Sequence, residues 1–213
     1  MLTGHWTFDA ESVDGDRAAD ATGGGLAAAL GPSVRVVSGR SGEALRFDGK
    51  GRAVIPAAPQ LMLNQMWGFS LAFFVNVVEE PTGEWRAVLY KPVGEGDARG
   101  LGMWLYPDAM RLRIQLFTTK GPEFVDLKKA LRVGGWTHVA VAVDAGEMYG
   151  YADGEFDTGV PLEHPVVPVS GPLYLGCDPT GLGFAGLLED LRTYGSTLSP
   201  TAVRAIAMDA KDE

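Results

Sequence analysis

The segment WTHVAVAV, residues 136–143, constrains the fold more than any other feature of this sequence. Val139, Val141 and Val143 fall at every second position, and residues with this spacing share one face of an extended strand. A second apolar run, Met148–Ala152, follows a short break and ends in Asp-Gly. Because Asp-Gly favours a tight two-residue turn with positive φ, the stretch predicts a β-meander whose next strand begins at Glu155.

Alternation of this kind recurs along the whole chain. Glycine (29 residues) and proline (13 residues) punctuate the apolar runs, so a predicted strand appears about every 8 to 15 residues, which favours an antiparallel sandwich or barrel over β-α-β units. The further predicted strands are His5–Phe8, Val34–Ser38, Ala44–Asp48, Arg52–Ile55, Phe69–Val77, Arg86–Lys91, Leu101–Tyr106, Met110–Phe117, Phe124–Leu127, Leu173–Gly176 and Leu187–Tyr194.

One short helix is predicted near the C-terminus. Ser199 can cap it, Pro200 suits its first turn, and Val203 and Ile206 fall on one face. We expect this helix to pack across one end of the sandwich and residues 209–213 to form a frayed tail. Since 46% of the residues are hydrophobic, residues 1–213 are expected to share one core as a single domain.

Composition narrows the expected partners. The formal net charge is -9, and a chain this acidic repels phosphate backbones, so nucleic acid is not an expected partner. The single cysteine, Cys177, leaves no intramolecular disulfide. No apolar run approaches the roughly 18 residues needed to cross a membrane, and the first residues do not predict a signal peptide.

Five stretches occur in an order that indicates a family. They are GHWTFDAES, SGEALRFDGKG, GFSLAFFVNV, GGWTHVAVAVDAGEMYGYADGE, and GPLYLG followed by FAGLLEDLRTYGSTLS. Together they resemble the laminin-G-like, concanavalin A-like jelly-roll domains common in bacterial surface and secreted proteins. The resemblance implies an all-β fold, a two-sheet antiparallel jelly-roll β-sandwich whose first and last strands pair. It also implies an extracellular or cell-surface location.

Glycosidases built on this type of sandwich use acids spaced Glu-x-Asp-x-(x)-Glu, since a spacing of two places both carboxylates on one strand face. Glu95-Gly96-Asp97 and Glu155-Phe156-Asp157 both lack the third acid. Glu189 and Asp190 are adjacent and are expected on opposite faces. The sequence therefore predicts no catalytic residue, and a polysaccharide-active hydrolase or lyase with an unrecognised site is kept as an alternative.

The sequence also contains no recognisable motif for nucleophilic catalysis. The chain has three histidines, His5, His138 and His164, and no Gly-x-Ser-x-Gly sequence. His138 lies inside a matched motif, where we expect its imidazole to form a hydrogen bond at a sheet edge. Cys177 has no identifiable base beside it and is expected to be a packed free thiol.

The resemblance implies a structural Ca²⁺ site, because relatives often hold this ion at the edge of the sandwich. The matching positions are Asp9 after the first strand, Asp48 in RFDG, and Glu189 after GLL. The family usually has Asp followed by Glu at the last position, and here the order is reversed. Ca²⁺ prefers oxygen ligands from carboxylates, carbonyls and water.

Glu189 has a second interpretation. It is in phase with Leu187 and Leu191, so we expect it to point towards the interior. A buried carboxylate requires either a cation or hydrogen-bond donors, such as Arg46 or a backbone amide.

Aromatic residues are the candidate ligand-binding groups. Trp104 and Tyr106 are two residues apart and share a strand face, as do Tyr149 and Tyr151. Exposed rings of this kind stack on the apolar faces of pyranoses. Gly102 is in phase with the first pair and leaves room beside it. The alternative is that these rings fill the core or cover a sheet edge.

The sequence therefore favours a non-catalytic module that binds a glycan or a cell-surface protein. A structural or assembly domain without a ligand is the third hypothesis, beside the binding module and the enzyme. The sequence predicts neither the ligand nor the oligomeric state.

Overall fold

The computed structural model describes residues 1–93 and 99–209, and these residues form a predominantly β structure. The strands are β1 (Leu2–Trp6), β2 (Val13–Asp14), β3 (Arg17–Ala18), β4 (Ala28–Leu30), β5 (Arg35–Ser38), β6 (Glu43–Asp48), β7 (Ala53–Ile55), β8 (Phe69–Val77), β9 (Arg86–Pro92), β10 (Arg99–Leu105), β11 (Leu112–Thr118), β12 (Gly121–Asp126), β13 (Trp136–Val143), β14 (Glu147–Ala152), β15 (Glu155–Pro161), β16 (Leu173–Leu175) and β17 (Ala185–Tyr194). The helix α1 spans Pro200–Met208, and two 3-10 turns lie at Ala10–Ser12 and Pro59–Leu61. The Glu95-Gly96-Asp97 motif and the predicted tail beyond Asp209 lie outside the described residues.

The strands form two antiparallel sheets. The eight-stranded sheet has the order β15-β14-β13-β8-β17-β6-β5, with β1 paired to β17. The nine-stranded sheet has the order β12-β11-β10-β9-β16-β7-β4-β3-β2. The predicted two-sheet jelly-roll sandwich is confirmed.

The core lies between the two sheets and is built from the alternating side chains of the long strands. On β13, Val139, Val141 and Val143 are fully buried. Val139 pairs with Phe73 of β8, and Val141 pairs with Leu71. Each buried side chain of this size stabilises the fold by roughly 1.5–3 kcal/mol. A slip of one residue would turn the whole set to the outer face of the sheet, away from the core between the sheets, so burial fixes the register.

The first and last strands pair, as predicted. His5 lies opposite Arg192, and Trp6 lies opposite Leu191. The Trp6 side chain is fully buried, and its Nε1–H donates to the carbonyl of Leu26 at 2.7 Å. This pairing ties the N-terminal strand to the centre of the eight-stranded sheet.

A bulge in β17 overturns the predicted phase of Glu189. Asp190 has φ 56°, and the register with β8 shifts directly after Glu189. As a result Leu188 and Leu191, three residues apart, both lie in the core, whereas Leu187 does not. The inward and outward alternation of side chains breaks here, because Asp190 adopts a left-handed backbone conformation and the residues after it face the opposite side of the sheet from the one that continued alternation from Leu188 would give.

The position of α1 differs from the prediction. Ser199 caps the helix as expected, with its Oγ accepting from the amide of Ala202 at 3.2 Å. However, Val203 and Ile206 pack on the outer face of the eight-stranded sheet, not across one end of the sandwich. The sheet residues beneath the helix are Ala72, Ala140, Ala142 and Tyr151. The small alanines make a flat apolar surface that a helix can cover. No helix within the described residues is long and apolar enough to span a membrane.

Candidate binding groove

Five aromatic side chains lie together on the outer face of the nine-stranded sheet, and we call them the aromatic cluster: Trp85, Tyr90, Trp104, Tyr106 and Tyr174. The ring centroids of Trp85 and Tyr106 are 4.6 Å apart. The centroid of Tyr90 is 6.1 Å from those of Trp104 and Tyr174. Strands β9, β10 and β16 bring these rings together because Tyr90 pairs with Tyr174 on one side and with Gly102 of β10 on the other.

Gly102 makes room for the Trp104 ring. A Cβ atom at residue 102 would lie 1.7 Å from Cη2 of the indole, so only glycine allows the ring to lie flat along its own strand. Trp104 is 5% exposed, and the guanidinium of Arg99 lies 5.4 Å from its ring centroid. Gly102 was expected to leave room beside Trp104, and in the structure the indole ring of Trp104 occupies that room.

Arg113 of β11 packs among the rings and is held there by Asp126. Its guanidinium carbon lies 3.6 Å from the ring centroid of Phe124 and 5.3 Å from that of Trp85. Its Nε and Nη2 atoms donate to the Asp126 carboxylate at 2.8 and 3.0 Å. The hydroxyl of Tyr106 donates to the same carboxylate at 2.6 Å. This network fixes the orientation of two aromatic side chains and one cation.

Asp126 is held in its ionised form. Burial opposes ionisation, but the hydrogen bonds from Arg113 and Tyr106 outweigh it and hold the pKa of the Asp126 carboxyl below its usual value. At neutral pH this carboxylate is therefore a hydrogen-bond acceptor and carries no proton to donate.

A groove of about 210 Å³ opens beside the aromatic cluster. Its walls combine ring faces with nitrogen donors and an amide, which is the composition of sites that stack and hydrogen-bond a small polar ligand. The residues that line it are Trp85, Arg99, Trp104, Arg113, Gln115 and Leu182.

Leu182 closes one side of this groove from the loop between β16 and β17. Asp178 positions this loop, since its Oδ1 accepts from the amides of Thr180 at 2.9 Å and Leu182 at 3.0 Å. The amide of Ala87 in β9 donates to the Leu182 carbonyl at 3.3 Å. Leu182, Arg99, Arg113 and Gln115 were not predicted as site residues, because no local sequence pattern shows which strands become neighbours.

The second predicted aromatic pair lies elsewhere. Tyr149 and Tyr151 share a face of β14, but that face belongs to the outer side of the eight-stranded sheet. Tyr151 is buried beneath α1. The hydroxyl of Tyr149 donates to Glu147 at 2.5 Å and lies 3.3 Å from a carboxylate oxygen of Asp144. The structure therefore does not bring this pair to the groove, which Trp104 lines and which Tyr106 approaches only through its contact with Trp85.

Protein groups satisfy the carboxylate of Glu189. It is fully buried and accepts hydrogen bonds from the Arg40 amide, the Ser41 amide at 3.1 Å and the Ser41 hydroxyl at 3.0 Å. Backbone amides are thus its partners, whereas Arg46, the other suggested donor, pairs with Leu187 in the ladder and is exposed. Glu189 lies under the turn between β5 and β6 and not in the interior of the sandwich.

The three acids of the expected calcium site are not brought together. Asp48 pairs with Ala185, four residues from Glu189 along β17, a separation of about 13 Å at the usual strand rise. Asp48 accepts from the amides of Gly51 at 2.7 Å and Lys50 at 3.0 Å, which lower the pKa of its carboxyl. Asp9 accepts from the amide of residue 43 at 3.2 Å.

These positions do not fit one shared cation, whose oxygen ligands lie 2.3–2.6 Å from the ion in typical calcium sites. Among the described residues, no group of three or more His, Cys, Asp or Glu side chains has the arrangement of a metal site.

His138 does not form the expected hydrogen bond at a sheet edge. Its strand, β13, is flanked by β8 and β14 and so is not an edge strand. The ring is buried, packs 5.0 Å from Phe74, and its two nitrogen atoms have no hydrogen-bond partner among the described residues. Burial lowers the pKa of His138 to about 4. Cys177 is a buried free thiol, as expected.

A larger hollow of about 460 Å³ lies between the edge strands β12 and β15. Its side chains include Glu123, which pairs with His164 at 2.9 Å, and Phe124. The guanidinium of Arg113 already covers one face of the Phe124 ring. The groove beside the aromatic cluster is lined by two tryptophan rings, Trp85 and Trp104, together with nitrogen donors, so we select it as the candidate site.

Sequence comparison places the chain in a known family. A laminin-G-type family model, described as the concanavalin A-like lectin/glucanases superfamily, matches residues 47–204. The chain belongs to the concanavalin A-like lectin/glucanase superfamily. The match includes β9, β10, β11 and the loop that carries Leu182, so all of the candidate groove falls inside the superfamily region. No curated protein sequence matches the chain significantly.

Solved structures of other binding domains and of an arabinanase domain have a similar fold. Domain 4 of AbnA, a GH43 extracellular arabinanase from Geobacillus stearothermophilus, in complex with arabinotriose, has 21% identity and a TM-score of 0.75, with coverage of 97% of this chain and 98% of that one. The binding domain of botulinum neurotoxin serotype G has 12% identity and a TM-score of 0.80, with coverage of 97% and 50%.

The botulinum neurotoxin serotype D ligand-binding domain, in complex with N-acetylneuraminic acid, has 10% identity and a TM-score of 0.77, with coverage of 96% and 50%. The chain thus spans about half the length of the toxin binding domains. At these identities the likeness is one of fold.

Proposed function

We propose that this protein is a non-catalytic binding module that holds a glycan in the groove beside the aromatic cluster. The observation that carries the proposal is the combination of the Trp85 and Trp104 rings with nitrogen donors from Arg99, Arg113 and Gln115 in one groove. Sugar rings present apolar faces that stack on aromatic rings and hydroxyls that need directed hydrogen bonds. The groove offers both kinds of contact within one small volume.

The similar structures support the same class of function. One of them is described in complex with arabinotriose, and another in complex with N-acetylneuraminic acid. We extend this class to the present chain, with a glycan of a cell surface or polysaccharide as the partner and an extracellular or cell-surface location. A cell-surface protein is the other partner class, and glycan-independent binding in the test below would favour it.

Binding without catalysis is favoured by the state of Asp126. Most glycoside hydrolases use two carboxyl groups about 5–9.5 Å apart, one of which holds a proton. The carboxylate of Asp126 is ionised and occupied by Arg113 and Tyr106. Calcium is not part of the proposal, because the geometry of Asp48 and Glu189 does not fit a shared ion.

A glycan array followed by calorimetry tests the proposal, with Trp85→Ala as the groove variant. Trp85 is only partly buried, so its removal should leave the fold intact. We expect the affinity for the glycans bound by the wild type to fall about 30-fold, equivalent to about 2 kcal/mol for an aromatic hot-spot residue.

Trp67→Ala is the matched control, because Trp67 is 80% exposed and does not line the groove. We expect this variant to bind with wild-type affinity. Equal losses in the two variants, or no glycan bound by the wild type, would contradict the proposed function.

A further inference from the structure

A second hollow lies directly beyond the groove and shares two of its walls. It has a volume of about 220 Å³, and Trp85 and Leu182 line both spaces. Its other lining side chains include Asp48, Lys50, Glu79, Thr82, Glu84 and Arg86. A ligand that stacks against Trp85 in the first groove therefore lies next to the second.

Together the two spaces reach the volume of a typical ligand site. At about 210 and 220 Å³, each is smaller than the roughly 300–1,000 Å³ typical of small-molecule sites. Taken together they fall inside that range. A ligand longer than one sugar unit would fill both, and it would be held across the edge formed by Trp85 and Leu182.

Trp85 and Leu182, the two residues shared by both spaces, are held in place by other protein groups. Trp85 packs against Tyr106, with ring centroids 4.6 Å apart, and beneath the guanidinium of Arg113. Hydrogen bonds to Asp178 hold the Leu182 loop on the opposite side. A preformed edge of this kind reduces the ordering that binding requires.

The second hollow differs from the first in its polar groups. Arg86 is buried there and its Nη1 donates to Glu79 at 3.1 Å, so these two groups neutralise each other. Glu84 and Thr82 are exposed and have no side-chain partner among the described residues. Their oxygen atoms can accept hydrogen bonds from sugar hydroxyls. Across the two spaces the acids Asp48, Glu79 and Glu84 are balanced by Lys50, Arg86 and Arg99, and Arg113 is paired with Asp126, so the walls carry no net charge that would favour a charged sugar.

We propose that the module binds an internal segment of a linear, neutral oligosaccharide, with sugar units on both sides of Trp85. This inference rests on the proposed function, because it assigns the chemical class and minimum length of the ligand of the same groove. The first groove holds one part of the chain against Trp104 and Arg113. The second holds the next part against Thr82 and Glu84.

A length series tests this inference. The probes are arabino-, gluco- and manno-oligosaccharides from the monosaccharide to the hexasaccharide, and galacturonate oligosaccharides of the same lengths, each titrated by calorimetry. For at least one neutral series, we expect the dissociation constant to fall about tenfold between the shortest chain that binds and the tetrasaccharide. Galacturonate chains are expected to bind more weakly than neutral chains at every length.

The variant Glu84→Ala combined with Thr82→Val removes both acceptor oxygens and should abolish most of this gain with length. Glu80→Ala is the matched control, since Glu80 is an exposed glutamate of the same segment that does not line either space. It should keep the full gain with length.

The outcomes separate the two proposals. Glycan binding with no dependence on length, or a gain with length that survives the double variant, would overturn the inference and leave the proposed function standing. Tighter binding of the galacturonate series would overturn the neutral class. Failure of every glycan to bind would overturn the proposed function itself.

Discussion

The indole of Trp104 lies over Gly102 so closely that a Cβ atom at residue 102 would come within 1.7 Å of Cη2. This contact sets the floor of the candidate groove, because the ring lies along its own strand in place of a side chain at residue 102. The orientation of one wall of the site thus depends on the absence of a methyl group two residues earlier.

We therefore expect Gly102→Ala to displace the Trp104 ring. Overpacking of this kind typically destabilises a protein by about 1–3 kcal/mol, and the displaced ring would narrow the groove and weaken glycan binding. Urea unfolding followed by circular dichroism measures the first effect, and calorimetry measures the second. Gly146→Ala is the control, since the nearest atom to its added Cβ is 3.9 Å away; equal behaviour of the two variants would contradict this account.

His138 should make stability depend on pH. Burial lowers its pKa from 6.5 to about 4, against the attraction of Asp153 and Asp190 and together with repulsion from Arg192 and Arg40. Between pH 6.5 and pH 4 the unfolded chain binds a proton that the folded protein does not, so the free energy of unfolding falls as pH falls through this window. The expected loss is about 3 kcal/mol.

The variant His138→Leu removes this titration, and the other two histidines remain in both proteins. Urea unfolding from pH 7.5 to pH 4 should show a smaller decline for the variant than for the wild type. Parallel declines would mean that His138 is not the group responsible.

Lys91 is a buried cation in the sandwich interior. Burial lowers its pKa to about 8, and its Nζ donates to the carbonyl of Gly171. Between pH 8 and pH 10.5 the unfolded chain holds the proton more tightly, so stability rises with pH across that window and the full penalty is present at pH 7.

We expect Lys91→Met to raise the free energy of unfolding at pH 7 by about 2 kcal/mol, after allowance for the unpaired Gly171 carbonyl. Lys128→Met, at an exposed lysine, should change it by less than about 0.5 kcal/mol. A destabilised Lys91→Met protein would show that the lysine has a partner stronger than this carbonyl.

The strands were predictable because burial on one face imposes a period of two. Phe69–Val77 was predicted with the bounds that the structure has, and the valines of β13 face the core as expected. The position of α1 was not predictable, because the alanines on the outer face of the eight-stranded sheet do not show which segment of the chain covers them. The bulge at Asp190 was missed because an aspartate in the left-handed region leaves no mark on the hydrophobic pattern.

One lining residue of the candidate groove, Trp104, could be found from the sequence. The spacing of Trp104 and Tyr106 placed both on one strand face, and the structure keeps them there. The same argument placed Tyr149 and Tyr151 together but could not show which sheet face they occupy. Arg113 and Leu182 come from other strands and loops, and the register that brings them to Trp104 is set by tertiary packing.

Addition of calcium tests whether Asp48 and Glu189 take part in a metal site. Because Glu189 is satisfied by Arg40 and Ser41, and Asp48 lies about 13 Å away along the strands, we expect Tm to change by less than about 1 °C on addition of calcium or of a chelator. A saturated site would raise Tm by about 5 °C or more, and such a shift would restore the expected metal site.

The central claim is that a glycan is bound against Trp85 and Trp104. The most direct measurement follows the indole Nε1–H signals of the chain's five tryptophans by ¹⁵N NMR, assigned with single Trp→Phe variants, during titration with the glycan bound most tightly on the array. We predict that the signals of Trp85 and Trp104 move together and saturate, whereas those of Trp6 and Trp67 stay in place. Saturating shifts at Trp67, with Trp85 and Trp104 unmoved, would contradict the assignment of the groove.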